Sequence, residues 1–309
     1  MRLSACRTMK DGIGCREILS LMTVAWLALL LSACDQDDSG AGHAQLSQQQ
    51  IAERIGLQKQ LAAAEQMLDS ADVRFNEVNE RLSRLRKDNQ GRFIGKDIAV
   101  GTLEPQGAAS ARVAIVAFND FQCSQCADHV FKVLPRLRQN YIDTGKLRYY
   151  NRDYAQAEHS QAKYAAVAAR CANGQGRYWE MFTSLFSNQD RLSPHIYPVL
   201  SHEVGLDPGP LTDCLTDYAT IKQVDADFLY GQSVDVISPP TYFVGTLDDT
   251  QLHDVIALSG ARPYEEFTSV IDLMLAMDAA RTAMKQAHED KLAARRDISR
   301  LEQALKAYK

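Results

Sequence analysis

The chain has 309 residues, 46% of them hydrophobic and 24% charged, a composition that allows a packed core in one or two domains. The formal net charge is -5 and no block of Lys and Arg occurs, which argues against nucleic acid as the main partner. The sequence also contains 7 cysteines. Whether they form disulfides depends on whether the protein lies in an oxidising or a reducing compartment.

The N-terminal segment 1–33 has the pattern of an export signal. Basic residues precede an apolar stretch over 18–31, which is shorter than the roughly 20 residues that a membrane-spanning helix needs. The stretch ends in Leu31-Ser32-Ala33-Cys34, which resembles the lipobox of bacterial lipoproteins. The resemblance implies that Cys34 is lipidated and anchors the chain on the periplasmic side of the bacterial cell envelope, and Asp35 favours the inner membrane. An uncleaved anchor or an ordinary signal peptide is the alternative.

Two long helices are predicted to flank the middle of the chain. After a polar, Gly-containing tether over 34–46, a helix is predicted over 47–90, with a heptad seam from Leu57 to Leu85. A second seam runs from Leu273 to Tyr308 in the C-terminal segment 273–309. We expect the two helices to pair either within one chain, as an antiparallel stalk, or between chains, as a coiled-coil homo-oligomer. The similar length of the seams favours the first arrangement.

The region between these helices, 91–272, is predicted to be an α/β domain with a helical insert over about 156–230. Apolar runs of strand length alternate with segments of helical periodicity. The predicted order is a strand over 112–118, a helix over 123–141 with a kink at Pro135, a strand over 146–151, the insert, strands over 241–244 and 254–258, and a helix that begins near Pro263.

The chemistry is predicted to lie in Cys123-Ser-Gln-Cys126, between the first strand and its helix. Cys123 would begin the helix, where unpaired N–H groups and the helix dipole favour the thiolate. Cys123 is therefore the predicted nucleophile in disulfide exchange, and Cys126, one turn further on, would resolve the mixed disulfide. The alternatives are a structural disulfide and half of a zinc site. No second CxxC or CxxH stands nearby, so we expect no metal and no cofactor.

Export also constrains the other cysteines. Three lie in the signal segment or at the predicted lipidation site, and four remain: Cys123, Cys126, Cys171 and Cys214. An even number in an oxidising compartment is consistent with two disulfides. If the CxxC forms one pair, Cys171 and Cys214 form the other. Two buried free thiols are the alternative.

Three segments of the middle region carry a family resemblance: Phe118-Asn-Asp-Phe-Gln-Cys-Ser-Gln-Cys126, Gln175-Gly-Arg-Tyr-Trp-Glu-Met-Phe182 and Ser238-Pro-Pro-Thr-Tyr-Phe-Val244. Together they look like the DsbA-type thiol–disulfide oxidoreductases of the thioredoxin superfamily. The resemblance implies a thioredoxin fold with a helical insertion. It also implies a cis-proline at Pro240 that faces the CxxC, and contact with a substrate peptide at Pro239, Pro240 and Thr241.

Three features depart from the family pattern. The family usually has a buried acid six residues before its first cysteine, and Ala117 stands there, so proton transfer at Cys126 must use water or another group. Asp120 is the nearest candidate, with a cap or turn role as the alternative. Pro239 replaces a Thr or Val and has no N–H, so a bound peptide should lose a hydrogen bond worth on the order of 0.5–1.5 kcal/mol. Ser124-Gln125 lacks the histidine of strongly oxidising relatives, which predicts a less oxidising couple.

The sequence therefore predicts a membrane-tethered periplasmic thiol–disulfide oxidoreductase that acts on exported proteins with cysteines. We expect an unknown membrane redox partner to reset its CxxC, and the direction of exchange stays open between oxidase, reductase and isomerase. The alternative is a non-catalytic thioredoxin-like binding or scaffold lipoprotein of an envelope assembly. His129 and His159 are expected to be surface or capping residues.

Overall fold

The computed structural model describes residues 47–88 and 96–307. The predicted signal segment, Cys34 and the tether therefore lie outside the described residues, as does Tyr308 of the C-terminal seam. The chain divides into two units, and the unit Arg54–Ser299 contains the sheet and the predicted site. In the other unit, the described residues are helical over 48–53 and 300–307.

Within the described residues, five strands form one mixed sheet in the order β1-β5-β4-β2-β3. Strand β2 lies between β4 and β3, parallel to β3 and antiparallel to β4. All seven of its residues are buried, which explains its continuous apolar run. The sequence analysis did not predict β1, which has only two residues. The strands are β1 (Ile98–Ala99), β2 (Val113–Asn119), β3 (Leu147–Asp153), β4 (Thr241–Leu247) and β5 (Gln251–Ser259).

The helix after the CxxC is irregular. It begins as α2 (Ser124–Asp128), passes through a π-helical turn (His129–Val133), continues as α3 (Leu134–Leu137) and ends in a second π-helical turn (Arg138–Ile142). Pro135 lies in α3 and cannot donate a backbone hydrogen bond to the preceding turn. The predicted kink thus takes the form of a helix interrupted on both sides of its proline.

The insert between β3 and β4 is helical, and a disulfide links two of its helices. Cys171 and Cys214 are bonded with an S–S distance of 2.08 Å, which is the pairing that the sequence analysis favoured. The disulfide connects the first helix of the insert to the fourth. The described helices are α4 (Ala162–Asn173), α5 (Tyr178–Ser187), α6 (Ile196–Glu203), α7 (Pro208–Leu215) and α8 (Tyr218–Ser233).

Buried ion pairs tie the insert to the sheet. Arg152 of β3 contacts Asp227 of α8 at 2.5 Å, and Arg170 of α4 contacts Asp153 of β3 at 2.6 Å. Arg170 also contacts Asp227, so two guanidinium groups share one carboxylate. All four side chains are at most 10% exposed, so each charge depends on the others for compensation.

Two long helices, α1 (Gln48–Asp88) and α9 (Tyr264–Ala307), contact each other within the unit Arg54–Ser299. Leu82 packs in the core with Met277, and Glu65 contacts Lys291 at 3.4 Å. Residues early in α1 therefore meet residues late in α9, and the contacts run antiparallel within one chain. The predicted boundary between 91–272 and 273–309 falls inside α9, so the domain and the C-terminal helix are continuous.

No helix among the described residues is long and apolar enough to cross a membrane.

Candidate active site

Cys123 caps the N-terminus of α2. Its sulfur accepts a hydrogen bond from the Cys126 backbone N–H at 3.2 Å, and as a thiol it donates to the Pro239 carbonyl at 3.7 Å. The pKa of Cys123 is lowered chiefly by a hydrogen bond from the Cys126 side chain, with smaller contributions from the backbone N–H groups of Cys126 and Gln125. Burial and the charge of Asp120 oppose this shift in the Cys123 pKa. The thiolate is favoured where the sequence analysis predicted it.

Cys126 lies in the opposite environment. Its side chain is fully buried, whereas Cys123 keeps 8% exposure. Burial raises the pKa of Cys126 well above its ordinary value, and the neighbouring Cys123 raises this pKa further. Both residues are free thiols in the structure. The site therefore pairs a sulfur of lowered pKa, which keeps a small exposed area, with a fully buried sulfur of raised pKa.

A cis peptide bond joins Pro239 to Pro240 beside the CxxC. The Pro239 carbonyl faces Cys123, and the Pro240 carbonyl accepts a hydrogen bond from the Gly260 N–H at 2.8 Å. Thr241 begins β4, is buried, and pairs with Phe118 at the end of β2. The fold thus brings the Pro239 carbonyl into contact with the reactive sulfur, and Pro240 and Thr241 follow it directly in the chain.

Asp120 holds the loop that leads into the CxxC. One carboxylate oxygen accepts a hydrogen bond from the Gln122 N–H at 2.7 Å. The other accepts from the Gln156 N–H at 2.8 Å and lies 2.8 Å from Nδ1 of His159. The carboxylate is buried, and its charge raises the pKa of both active-site thiols. Asp120 therefore fixes the loop through hydrogen bonds and acts on the thiols through its charge.

Gln189 is a supporting residue that the sequence analysis missed. Its side-chain amide donates to the carbonyls of Phe121 at 2.8 Å and of Cys123 at 3.0 Å. It lies in the 3₁₀ turn Gln189–Arg191 after α5. The insert therefore holds the CxxC loop through these two hydrogen bonds. A contact between residues 66 positions apart leaves no periodic signal in a single sequence.

The expectation that His129 is a surface or capping residue was wrong. It is 3% exposed, and its ring lies 4.3 Å from the ring of Tyr242, 5.0 Å from that of Phe267 and 6.0 Å from that of Tyr149. Burial lowers the pKa of His129 to about 3, so its imidazole is neutral. A polar residue in a helix suggests an exposed position, but this one lies three residues after Cys126, on the inner face.

Comparisons with known proteins agree with this architecture. A family model with the description "Thioredoxin" matches residues 101–272, more than half of the chain. A putative protein-disulfide oxidoreductase of Rickettsia bellii is 25% identical over 54% of this chain and 66% of its own length. The Na(+)/H(+) antiporter NhaA 3 of Salinispora tropica is 29% identical over 50% of this chain. The chain spans only 24% of that antiporter and about two thirds of the Rickettsia protein.

Among solved structures, α-DsbA1 of Wolbachia pipientis is similar with a TM-score of 0.53 at 20% identity. The match covers 60% of this chain and 96% of that protein. The predicted fold class, a thioredoxin fold with a helical insertion and a long C-terminal helix, is confirmed. The chain belongs to the thioredoxin family, and its fold is of the DsbA type.

Proposed function

We propose that the chain is a thiol–disulfide oxidoreductase that exchanges disulfides with exported proteins through Cys123 and Cys126. The opposite environments of the two thiols carry this proposal. A structural pair would gain nothing from one sulfur with a lowered pKa and one with a raised pKa, whereas an exchange reaction needs both. The name of the Rickettsia relative supports the same reaction class.

Cys123 is the sulfur that substrates reach. As a thiolate it attacks a substrate disulfide, and the bond between Cys123 and one substrate sulfur forms while the other substrate sulfur leaves with the electron pair. Cys126 then attacks Cys123 and releases the substrate. In the opposite direction, a substrate thiolate attacks Cys123 in the oxidised pair, and Cys126 is the leaving group. Neither direction requires a metal or a cofactor.

Substrate peptides would lie against the Pro239, Pro240 and Thr241 segment. The Pro239 carbonyl is available to a peptide N–H when Cys123 is a thiolate, because the thiolate no longer donates to it. Proline supplies no N–H of its own, so the peptide forms one hydrogen bond fewer than at a residue with a backbone donor.

The cell envelope is the proposed site of action. The signal pattern, the lipobox resemblance at Cys34 and the Cys171–Cys214 disulfide all fit an oxidising compartment outside the cytoplasm. We propose a lipid anchor at Cys34, most consistent with the inner membrane, and a membrane redox partner that resets the CxxC.

Two assays test the activity: reduction of insulin and refolding of reduced ribonuclease. Each is run on the protein without its signal segment, with Cys123→Ser as the inactive control. We expect activity in at least one assay and its loss in the control. Equal rates for the two proteins in both assays would favour the scaffold alternative, in which the CxxC is structural.

A further inference from the structure

The buried carboxylate of Asp120 has a histidine partner that the exchange reaction described above does not use. Nδ1 of His159 lies 2.8 Å from one oxygen of Asp120. The Asp120 side chain is fully buried, whereas the His159 side chain is 28% exposed. An ionised carboxylate only accepts hydrogen bonds, so Nδ1 carries the hydrogen of this contact. The inference concerns the reactivity of Cys123, and it therefore rests on the proposed function.

The turn that carries His159 is fixed against the loop before the CxxC. The oxygen of Asp120 that contacts the imidazole also accepts a hydrogen bond from the Gln156 N–H at 2.8 Å. The Gln122 side chain in turn accepts a hydrogen bond from the Gln161 N–H at 2.6 Å. Within the turn, the His159 N–H donates to the Gln156 carbonyl at 3.1 Å. The fold therefore holds the imidazole at the carboxylate, and the contact is more than an approach of two surface side chains.

The Asp120 carboxylate acts on the reactive sulfur. The Cys123 N–H donates to the Asp120 carbonyl at 3.0 Å, so the two residues close one tight turn. A hydrogen bond from the Cys126 side chain lowers the pKa of Cys123, whereas burial and then the negative charge of Asp120 oppose this shift. A positive charge beside the carboxylate would cancel part of that opposition. The imidazole of His159 is the group that lies beside it.

Histidine can supply such a positive charge over part of the physiological pH range. It is the side chain whose ordinary charge change falls between about pH 5 and pH 8. With a neutral ring, the Asp120–His159 pair carries one negative charge, and with a protonated ring the pair carries no net charge. As the pH falls and the Cys123 thiolate begins to be lost, the imidazole gains its proton. The added positive charge then opposes the loss of the thiolate.

The other titratable groups around the turn do not supply this charge. Glu158 precedes the histidine and is exposed, so solvent and salt screen its negative charge. Lys163, near the start of α4, forms an ion pair with Asp225 of α8 at 2.6 Å. Tyr197 of α6 donates its hydroxyl to the turn, and burial raises the pKa of this tyrosine, which keeps it neutral. Among these groups, the histidine is the one that changes from neutral to positive near neutral pH.

We propose that His159 is a positioning residue that balances the charge of Asp120 and so keeps Cys123 reactive in mildly acidic surroundings. It acts through the carboxylate rather than on the sulfur itself. Protonation of the imidazole leaves Cys123 beside a neutral pair, so the thiolate persists to lower pH than it would beside Asp120 alone. The exchange chemistry is unchanged, because Cys123 still attacks as a thiolate and Cys126 still resolves the mixed disulfide.

The rate at which iodoacetamide alkylates Cys123 tests this role. The rate is measured on the reduced full chain between about pH 4 and pH 9, because the thiolate is the form that reacts, and mass spectrometry identifies the modified cysteine. His159→Asn keeps a nitrogen donor bonded to Cγ, as Nδ1 is, but cannot become charged. His159→Leu removes the donor as well. His195→Asn is the matched control, since His195 is exposed and makes no side-chain capping bond to α6.

Both His159 variants should move the midpoint of the alkylation profile upward by about 0.5–1 pH unit, a roughly three- to tenfold loss of rate well below the midpoint. Above the midpoint, the rates should agree with the wild type, as the His195 variant should at every pH. Asp120→Asn should move the midpoint downward, because it removes the negative charge that His159 balances. A purely structural contact would give shifts of the same direction in Asp120→Asn and His159→Leu, since both disturb one hydrogen bond.

Three results would overturn the inference. The midpoint could stay unchanged in both His159 variants. His159→Asn could match the wild type while His159→Leu does not, which would make the hydrogen bond rather than the charge responsible. Asp120→Asn could raise the midpoint as the His159 variants do, which would make the contact structural. If Asp120→Asn does not fold, the two His159 variants still decide between the first two results and the predicted shift.

The alkylation profile is independent of activity on substrates. An upward shift in both His159 variants, in a protein that acts on neither insulin nor ribonuclease, would support the inference and contradict only the proposed function. An active protein whose midpoint is insensitive to both His159 substitutions would contradict only the inference.

Discussion

Cys123 and Cys126 are separated by one helical turn, and their environments differ in the two properties that control thiol chemistry. Cys123 receives hydrogen bonds at the start of α2, and Cys126 is fully buried in an apolar cluster that includes Phe121 and Phe182. The first arrangement lowers a thiol pKa and the second raises it. The division of roles follows from position, since the side chains are chemically identical.

Removing the Cys126 thiol should raise the Cys123 pKa. The hydrogen bond from the Cys126 side chain is the largest cause of the lowered value, so Cys126→Ala loses it and Cys126→Ser keeps a donor. The thiolate fraction near neutral pH should fall in the alanine variant. The rate of iodoacetamide alkylation against pH measures this, and its midpoint should move upward in alanine and less in serine. An unchanged or lower midpoint in alanine would contradict the assignment.

Pro239→Val tests the missing backbone donor. The variant restores an N–H beside the Pro239 carbonyl position, and one hydrogen bond is worth on the order of 0.5–1.5 kcal/mol. We expect KM for a reduced or oxidised peptide substrate to fall by roughly 2–10-fold with kcat little changed. Unchanged KM would show that bound peptides do not use this position.

The reactive pair could be predicted from sequence because CxxC spacing and the preceding apolar run are local. His129 and Gln189 could not. His129 is a polar residue whose burial depends on Tyr149 and Tyr242, which come from distant strands. Gln189 reaches Cys123 only because the insert folds back over the helix N-terminus. Residues that support a site through tertiary contacts carry no spacing signal in one sequence.

At the scale of elements, the insert is attached to the sheet by two kinds of link. The Cys171–Cys214 disulfide holds α4 to α7. The Arg152–Asp227 pair holds α8 to β3, and the Arg170–Asp153 pair holds α4 to β3. The insert also supplies Gln189 to the CxxC loop. Loosening the insert should therefore affect both stability and the geometry of the site.

Asp227→Ala should strongly destabilise the fold. The substitution leaves Arg152 and Arg170 buried with less compensating charge, a change that costs about 3–5 kcal/mol in buried pairs. Urea unfolding of the oxidised protein measures the effect. Arg177→Ala is the control, because its contact with Glu180 is solvent-exposed and worth about 0–1 kcal/mol. Similar losses in the two variants would contradict the role given to the buried network.

The disulfide of the insert should contribute separately. Its cysteines are 43 positions apart, and closing a loop of that length stabilises a fold by about 2–4 kcal/mol. A protein with both Cys171→Ala and Cys214→Ala should lose stability by that amount in urea unfolding, while its activity in the insulin or ribonuclease assay persists. A loss of that activity in the folded variant would mean that the disulfide also positions Cys123.

The element order was predictable wherever apolar periodicity was strong. The apolar run of β2 and the helical insert both appear near their predicted positions. β1 escaped prediction because two residues cannot show a period. The boundary placed at 272 lies inside α9, which begins at Tyr264, close to the helix start predicted near Pro263. A heptad seam marks where a helix needs a partner, and it does not mark where the helix begins.

At the scale of the whole molecule, the antiparallel contacts between α1 and α9 support the intramolecular pair, one of the two arrangements that the sequence left open. Seam residues such as Ala64, Ala71, Ala280 and Ala287 are buried within a single chain. Because these seam residues are already covered within one chain, we expect the intramolecular arrangement. We predict a monomer for the protein without its signal segment in analytical sedimentation. A dimer that disappears when residues 47–90 are deleted would instead support the homo-oligomer.

The reduction potential of the Cys123–Cys126 pair tests the central claim most directly. A redox titration in glutathione buffers, followed by alkylation, measures it. The account predicts one reversible two-electron transition that is absent from Cys123→Ser, at a potential more negative than about -120 mV, the value of a strongly oxidising DsbA. A pair that shows no reversible transition would contradict the proposed exchange chemistry. A potential near that value would contradict the prediction of a less oxidising couple.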